Sequence, residues 1–179
     1  MSFRMPDPEE LDAAFCDICE EVAFVLVDPA PPGAVIDEDG PYLHSEVELE
    51  GVVRGTVAVA GTLPGLREMA ANLLGERESE SEADQQGVTF LKELVNITAG
   101  VFAGLVTEET GTCDFGVPDC TVMPEARWSE LCGDDWSRCY SGMEGPLLWR
   151  CTLQDVGTGR IFHGTAVQGT AGPGERGQA

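Results

Sequence analysis

The chain has 179 residues, with 10 Lys and Arg against 32 Asp and Glu, a formal charge of −22 at pH 7, and 42% hydrophobic residues. That length and apolar content suit one domain with its own core, read as residues 1–168 followed by a Gly-rich, polar tail at 169–179 expected to be disordered. The charge repels nucleic-acid phosphates and anionic lipid, so neither is an expected partner.

No apolar run reaches the roughly 20 residues of a membrane helix, and Met1 to Pro6 lacks the apolar core of an export signal, so a cytoplasmic protein is expected. Cysteines stand at 16, 19, 113, 120, 132, 139 and 151, an odd number that argues for free thiols. Cys16 and Cys19 form a C-x-x-C pair, but no later pair has the short spacing of a structural zinc site, so no metal is expected. The pair reads as small, semi-apolar core or boundary positions of an amphipathic helix. His44 and His163 are isolated and read as surface or strand residues.

From Asp7 to about Leu26, apolar residues at Leu11, Phe15, Ile18, Val22 and Val25 mark one helix face, with Asp7, Pro8, Glu9 and Glu10 as its capped start and Pro29 to Gly33 as its end. Alternation from His44 to Ala60 predicts two strands joined tightly, with Gly51 and Gly55 permitting bends or bulges. Thr62-Leu63-Pro64 opens a helix expected to turn Leu66, Met69, Ala70, Leu73 and Leu74 inward and to stop at Gly75. A hydrophilic, acidic connector covers 76–84.

The segment from Val88 to Val106 predicts one long helix, with Phe90, Leu91, Leu94, Val95, Ile97, Val101, Phe102 and Leu105 on a broad apolar face. Thr89, Glu93 and Asn96 align on the other face, and the stripe continues through the small residues Gly100, Ala103 and Gly104. A polar patch followed by a smooth strip suits close approach of a partner, whereas a purely solvated face would carry Glu, Lys and Arg. Beyond Thr110 loops with short regular pieces are expected, then a hairpin from 147–152 and 160–167. No internal repeat, P-loop, dinucleotide fingerprint or nucleophile elbow is present.

The order of these elements, together with Glu93-Leu94-Val95-Asn96, resembles the CheC/CheX/FliY family of chemotaxis phosphatases, most closely the CheX-like branch. The family signature places an acidic or hydroxyl residue, then Glu, then Asn on one helix and a Pro further on; here Thr89, Glu93, Asn96 and Pro118 match it. Flanking likeness includes Glu21-Val22-Ala23-Phe24, Ala71-Asn72-Leu73-Leu74-Gly75 and Ile97-Thr98-Ala99-Gly100, and covers about residues 9–125. Two departures concern the docking face: Thr89 stands where Asp or Ser is usual, and Lys92, the chain's one lysine, stands where relatives often have Gly.

The resemblance implies an α+β fold, with helices packed on one side of a largely antiparallel sheet. It implies hydrolysis of the aspartyl phosphate of a CheY-like receiver domain, with Asn96 orienting water, Glu93 pairing with the receiver's active-site Lys, and Thr89, Lys92 and Gly100 meeting the partner. No cofactor is implied for this chain; Mg2+ is expected in the receiver. A homodimer through the sheet is also implied. The competing readings are a non-catalytic module that sequesters a signalling partner and a helix that only builds a dimer core, and exposure of Glu93 and Asn96 separates the enzyme from the last.

Overall fold

Asp7 accepts the backbone N–H of Glu10 at 2.9 Å while its own N–H donates to the Glu10 carboxylate, a capping box that starts helix α1 (Pro8–Ile18). The computed structural model describes residues 6–31, 34, 40–51, 53–75, 80–107, 113–134, 137–155 and 161–163; the 169–179 tail and the 156–160 connection lie outside them. The first helix does not run to Leu26. It widens into a π-helical turn at Cys19–Ala23, where Phe24 adopts a left-handed conformation with φ 55° and ends it. Strand β1 (Val27–Pro29) follows.

Strands β2 (Tyr42–Gly51) and β3 (Val53–Thr62) pair antiparallel. Gly55 makes no bend: a Cβ there would lie 1.8 Å from the Thr152 carbonyl oxygen, so its role is close approach of the neighbouring strand that carries Thr152. Helix α2 (Leu63–Leu74) is capped by the Thr62 hydroxyl, which accepts from the Gly65 N–H at 3.3 Å, and ends at left-handed Gly75. Helix α3 (Glu80–Val106) begins inside the acidic stretch 76–84, earlier than the apolar periodicity places it. Carboxylates near a helix amino end are favourable, and Asp84 forms an ion pair with Arg67 of α2.

The rest is β4 (Cys113–Phe115), β5 (Asp119–Met123), α4 (Glu125–Cys132), β6 (Ser137–Gly142), β7 (Leu147–Asp155) and β8 (Ile161–His163). All strands pair antiparallel in one sheet of order β1, β6, β7, β3, β2, β4, with β5 also on β2 and β8 also on β7. The α+β class and the C-terminal hairpin are therefore as the sequence indicates.

Helices α1, α2 and α3 cover one face, where Leu43, Val47, Val57, Val59 and Trp149 meet Phe15, Leu66, Leu94 and Phe102 in the main core. The short α4 covers one end of the opposite face: Trp128 stacks on Tyr42 at 4.6 Å beside Leu131, Ala60 and Leu148. Helix α3 is long and apolar enough to cross a membrane by length and composition, yet Leu91, Leu94, Val95, Ala99 and Phe102 are buried in this core. Its apolar stripe is accounted for by the sheet.

One polar network ties α1 to the sheet: Arg138 of β6 donates twice to Asp12, and the Tyr140 hydroxyl donates to Asp12 at 2.8 Å. All three lie within or at the edge of the core, so removing the carboxylate strands a poorly solvated guanidinium. Asp12→Ala is expected to cost about 3 kcal/mol, which lowers Tm by roughly 6–12 °C for a chain of this size. Thermal unfolding by circular dichroism measures it.

On the opposite face burial pushes the His44 imidazole pKa below its ordinary value, Glu46 working against this and Arg127 and Arg150 with it. The unfolded chain then takes up this proton first as pH falls below about 6.5, so the neutral imidazole supports folding above that pH and the support is lost on acidification. Comparing urea midpoints at pH 7.5 and 5.5, His44→Gln should lose less stability than wild type.

Candidate functional site

The site is built on the outer stripe of α3. At 3.6 residues per turn, Thr89, Glu93, Asn96, Gly100 and Gly104 fall within roughly 80° of the helix circumference. The structure brings these five onto one face: Thr89, Glu93, Gly100 and Gly104 are exposed, and Asn96 is half-buried. Their inward neighbours Leu91, Leu94 and Val95 are buried, so the polar groups stand on a rigid mount. Thr98, buried one turn on, donates to the Leu94 carbonyl at 2.7 Å and brings no group to this face.

Among the described residues, no hydrogen bond engages the Glu93 carboxylate or the Asn96 amide, which leaves both for a partner. The Thr89 hydroxyl is occupied: it donates to the Gln85 carbonyl at 2.9 Å, which leaves its oxygen lone pairs to accept from outside. A Cβ at Gly100 or Gly104 would meet nothing within 4 Å, so the chain itself does not require glycine there. Both glycines leave the helix backbone bare beside Asn96.

Lys92 is half-buried on the side of the stripe facing β5. Burial pushes the Cys120 thiol pKa up, and the charge of Lys92 opposes that rise, so the ammonium lies close to β5. Lys92 thus borders Asn96 on one flank. Pro118 is half-buried in the β4–β5 connection, on the edge that packs along α3.

The other flank holds what the sequence reading missed. Leu73 and Leu74, expected to point inward, are 46% and 54% exposed. With Val22 and Phe90 they line a groove of about 310 Å3 between α2 and α3 whose rim includes Thr89 and Glu93. The available signal was that adjacent residues on a helix lie about 100° apart, and this pair stands at the very end of α2. Away from this face, Cys16 is a half-buried boundary position with its thiol 3.3 Å from the Val27 carbonyl, and Cys19 is buried in the core.

This sheet, with the long helix α3 laid across it, has the fold of the CheX and CheC-like chemotaxis proteins of known structure. The crystal structure of the chemotaxis protein CheX from Vibrio vulnificus superposes with a TM-score of 0.61 at 15% identity, over 82% of this chain and 95% of that one. CheX from Borrelia burgdorferi, solved in a complex with CheY, BeF3 and Mg2+, gives 0.60 at 18% identity over 82% and 96%. A CheC-like chemotactic protein from Shewanella oneidensis gives 0.55 at 11% over 82% and 97%. No family model and no curated protein matches the sequence.

If the glycines serve a partner rather than the fold, replacing one should help the chain alone. Gly104→Ala is expected to stabilise by about 0.5–1 kcal/mol, because alanine loses less backbone entropy in a helix and meets open space. Urea unfolding measures this gain.

Proposed function

We propose that the protein hydrolyses the aspartyl phosphate of a CheY-like receiver domain. The observation that carries this reading is that Glu93 and Asn96 stand one turn apart on the outer face of α3, without internal partners among the described residues, beside a bare glycine strip. A helix that only builds the core would bury this stripe or cover it with long charged side chains.

The chemistry asks little of such a site. An acyl phosphate carries a good leaving group, so the catalyst has to hold one water in line with the breaking P–O bond. The Asn96 amide oxygen accepts from that water while its NH2 donates to a phosphoryl oxygen. The water oxygen bonds to phosphorus, the bond to the aspartyl oxygen breaks, and carboxylate and inorganic phosphate are released. Glu93 accepts a charge-assisted hydrogen bond from the receiver's active-site Lys and thereby sets the register of the two proteins. Mg2+ belongs to the receiver, and this chain supplies no metal ligand to the step. A hundredfold acceleration corresponds to about 2.7 kcal/mol of barrier, within the reach of positioning alone.

On this reading the protein works in the cytoplasm with its receiver, and as a homodimer joined through the sheet. The β4–β5 edge, with Phe115, Val117 and Val122 exposed, offers unpaired strand and apolar surface for that contact.

The test is the decay of a phosphorylated receiver with and without the protein. Acceleration should vanish in Asn96→Ala, falling at least about a hundredfold if the water is its charge. Glu93→Gln should raise the receiver concentration needed for half the maximal rate. The chain as a whole carries −22 and a receiver's phosphorylation site is itself acidic, so the association rate should rise with ionic strength as repulsion is screened. Binding without acceleration by wild type would favour the sequestering module.

A further inference from the structure

We infer that the receiver held by Glu93 and Asn96 also seats an apolar side chain in the groove between α2 and α3. This rests on the receiver reading of the site and adds what holds the two proteins together. Thr89 and Glu93 form the groove's rim, so a protein that covers Glu93 also covers the groove. Apolar Val22, Leu73, Leu74 and Phe90 share its walls with Gln85 and Gln86, and among the described residues Glu93 is the one ionisable group lining it. The fitting occupant is therefore an apolar side chain with a cation next to it. That is the chemistry of a receiver surface whose active-site lysine reaches Glu93. A cavity of about 150 Å3 lined by apolar side chains admits benzene, so 310 Å3 takes a leucine, methionine or phenylalanine side chain.

Two further observations point the same way. Val22 reaches the groove from the π-helical turn, and two residues later Phe24 holds a left-handed conformation that a bulky side chain rarely adopts, with 69% of its surface exposed. Local strain of this kind persists where the surroundings fix it and collects at working sites. The charge balance adds a reason for such a contact. At −22 the chain repels an acidic receiver at a distance, so attraction has to come from surface buried at contact, which salt does not screen.

The experiment titrates the full chain with a receiver activated by beryllofluoride and, in parallel, follows phosphoryl decay. The variants are the double substitution Leu73→Ser with Leu74→Ser, and Met143→Ser, an exposed apolar residue outside both the groove and the β4–β5 edge. The double variant should bind about tenfold more weakly and need about tenfold more receiver for half its maximal rate, with the rate at saturation within about twofold of wild type. Met143→Ser should bind as wild type does. Unchanged affinity in the double variant overturns the groove, even where Asn96→Ala abolishes acceleration and the catalytic reading stands. A fall in saturated rate at unchanged affinity also overturns it. If wild type binds without accelerating decay, the catalytic reading fails and the affinity ratio alone decides the groove. If wild type binds no activated receiver, both fall.

Discussion

Everything at the site depends on how α3 is seated. Leu91, Leu94, Val95, Ala99, Phe102 and Val106 are all buried, and Phe102 meets Trp149 of β7 edge-on at 5.7 Å while Phe15 of α1 stacks on the same indole. Each large apolar side chain so buried contributes about 1.5–3 kcal/mol, and the stripe spans more than four turns. The outer stripe inherits that rigidity. Positioning catalysis loses about a hundredfold for a misplacement of 1 Å, so the packing of α3 on the sheet is as much a part of the proposed chemistry as the amide of Asn96.

The face divides into three zones. The glycine strip and Asn96 form a narrow central track, Lys92 stands on the β5 flank, and the apolar groove lies on the α2 flank. Lys92 places one positive charge against an acidic background, on the side where Glu93 does not reach. On the proposed reading, a partner meeting this surface is sorted by shape at the centre, by charge on one side and by apolar fit on the other. Specificity of this kind needs few residues, because each zone rejects a different class of wrong partner.

How much of this was legible in the sequence follows from what local pattern encodes. The α1 cap was legible because Asp7 and Glu10 act within one turn, and the α3 stripe because its period is long and unbroken. Glu93, Asn96, Thr89 and Gly100 share a face for the same reason. The end of α1 was not legible: apolar spacing continues to Val25, and only tertiary packing diverts the chain at Phe24. Leu73 and Leu74 read as core because apolar periodicity reports a face and cannot say where the opposing element ends. Strands β4 and β5 and helix α4 are short, and Tyr42, Trp128 and Leu148 meet only when distant segments are placed on the second face of the sheet.

The π-helical turn has an implication for how such a surface changes. Its hydrogen bond from the Phe24 N–H to the Cys19 carbonyl spans one residue more than an ordinary helical turn. Deleting one residue from 19 to 21 would restore regular winding and swing Val22 by about 100°, away from the leucines it faces. Leu11 and Phe15, deeper in the core, lie upstream and would keep their places. The groove wall is thus adjustable by a change in chain length rather than in side-chain identity.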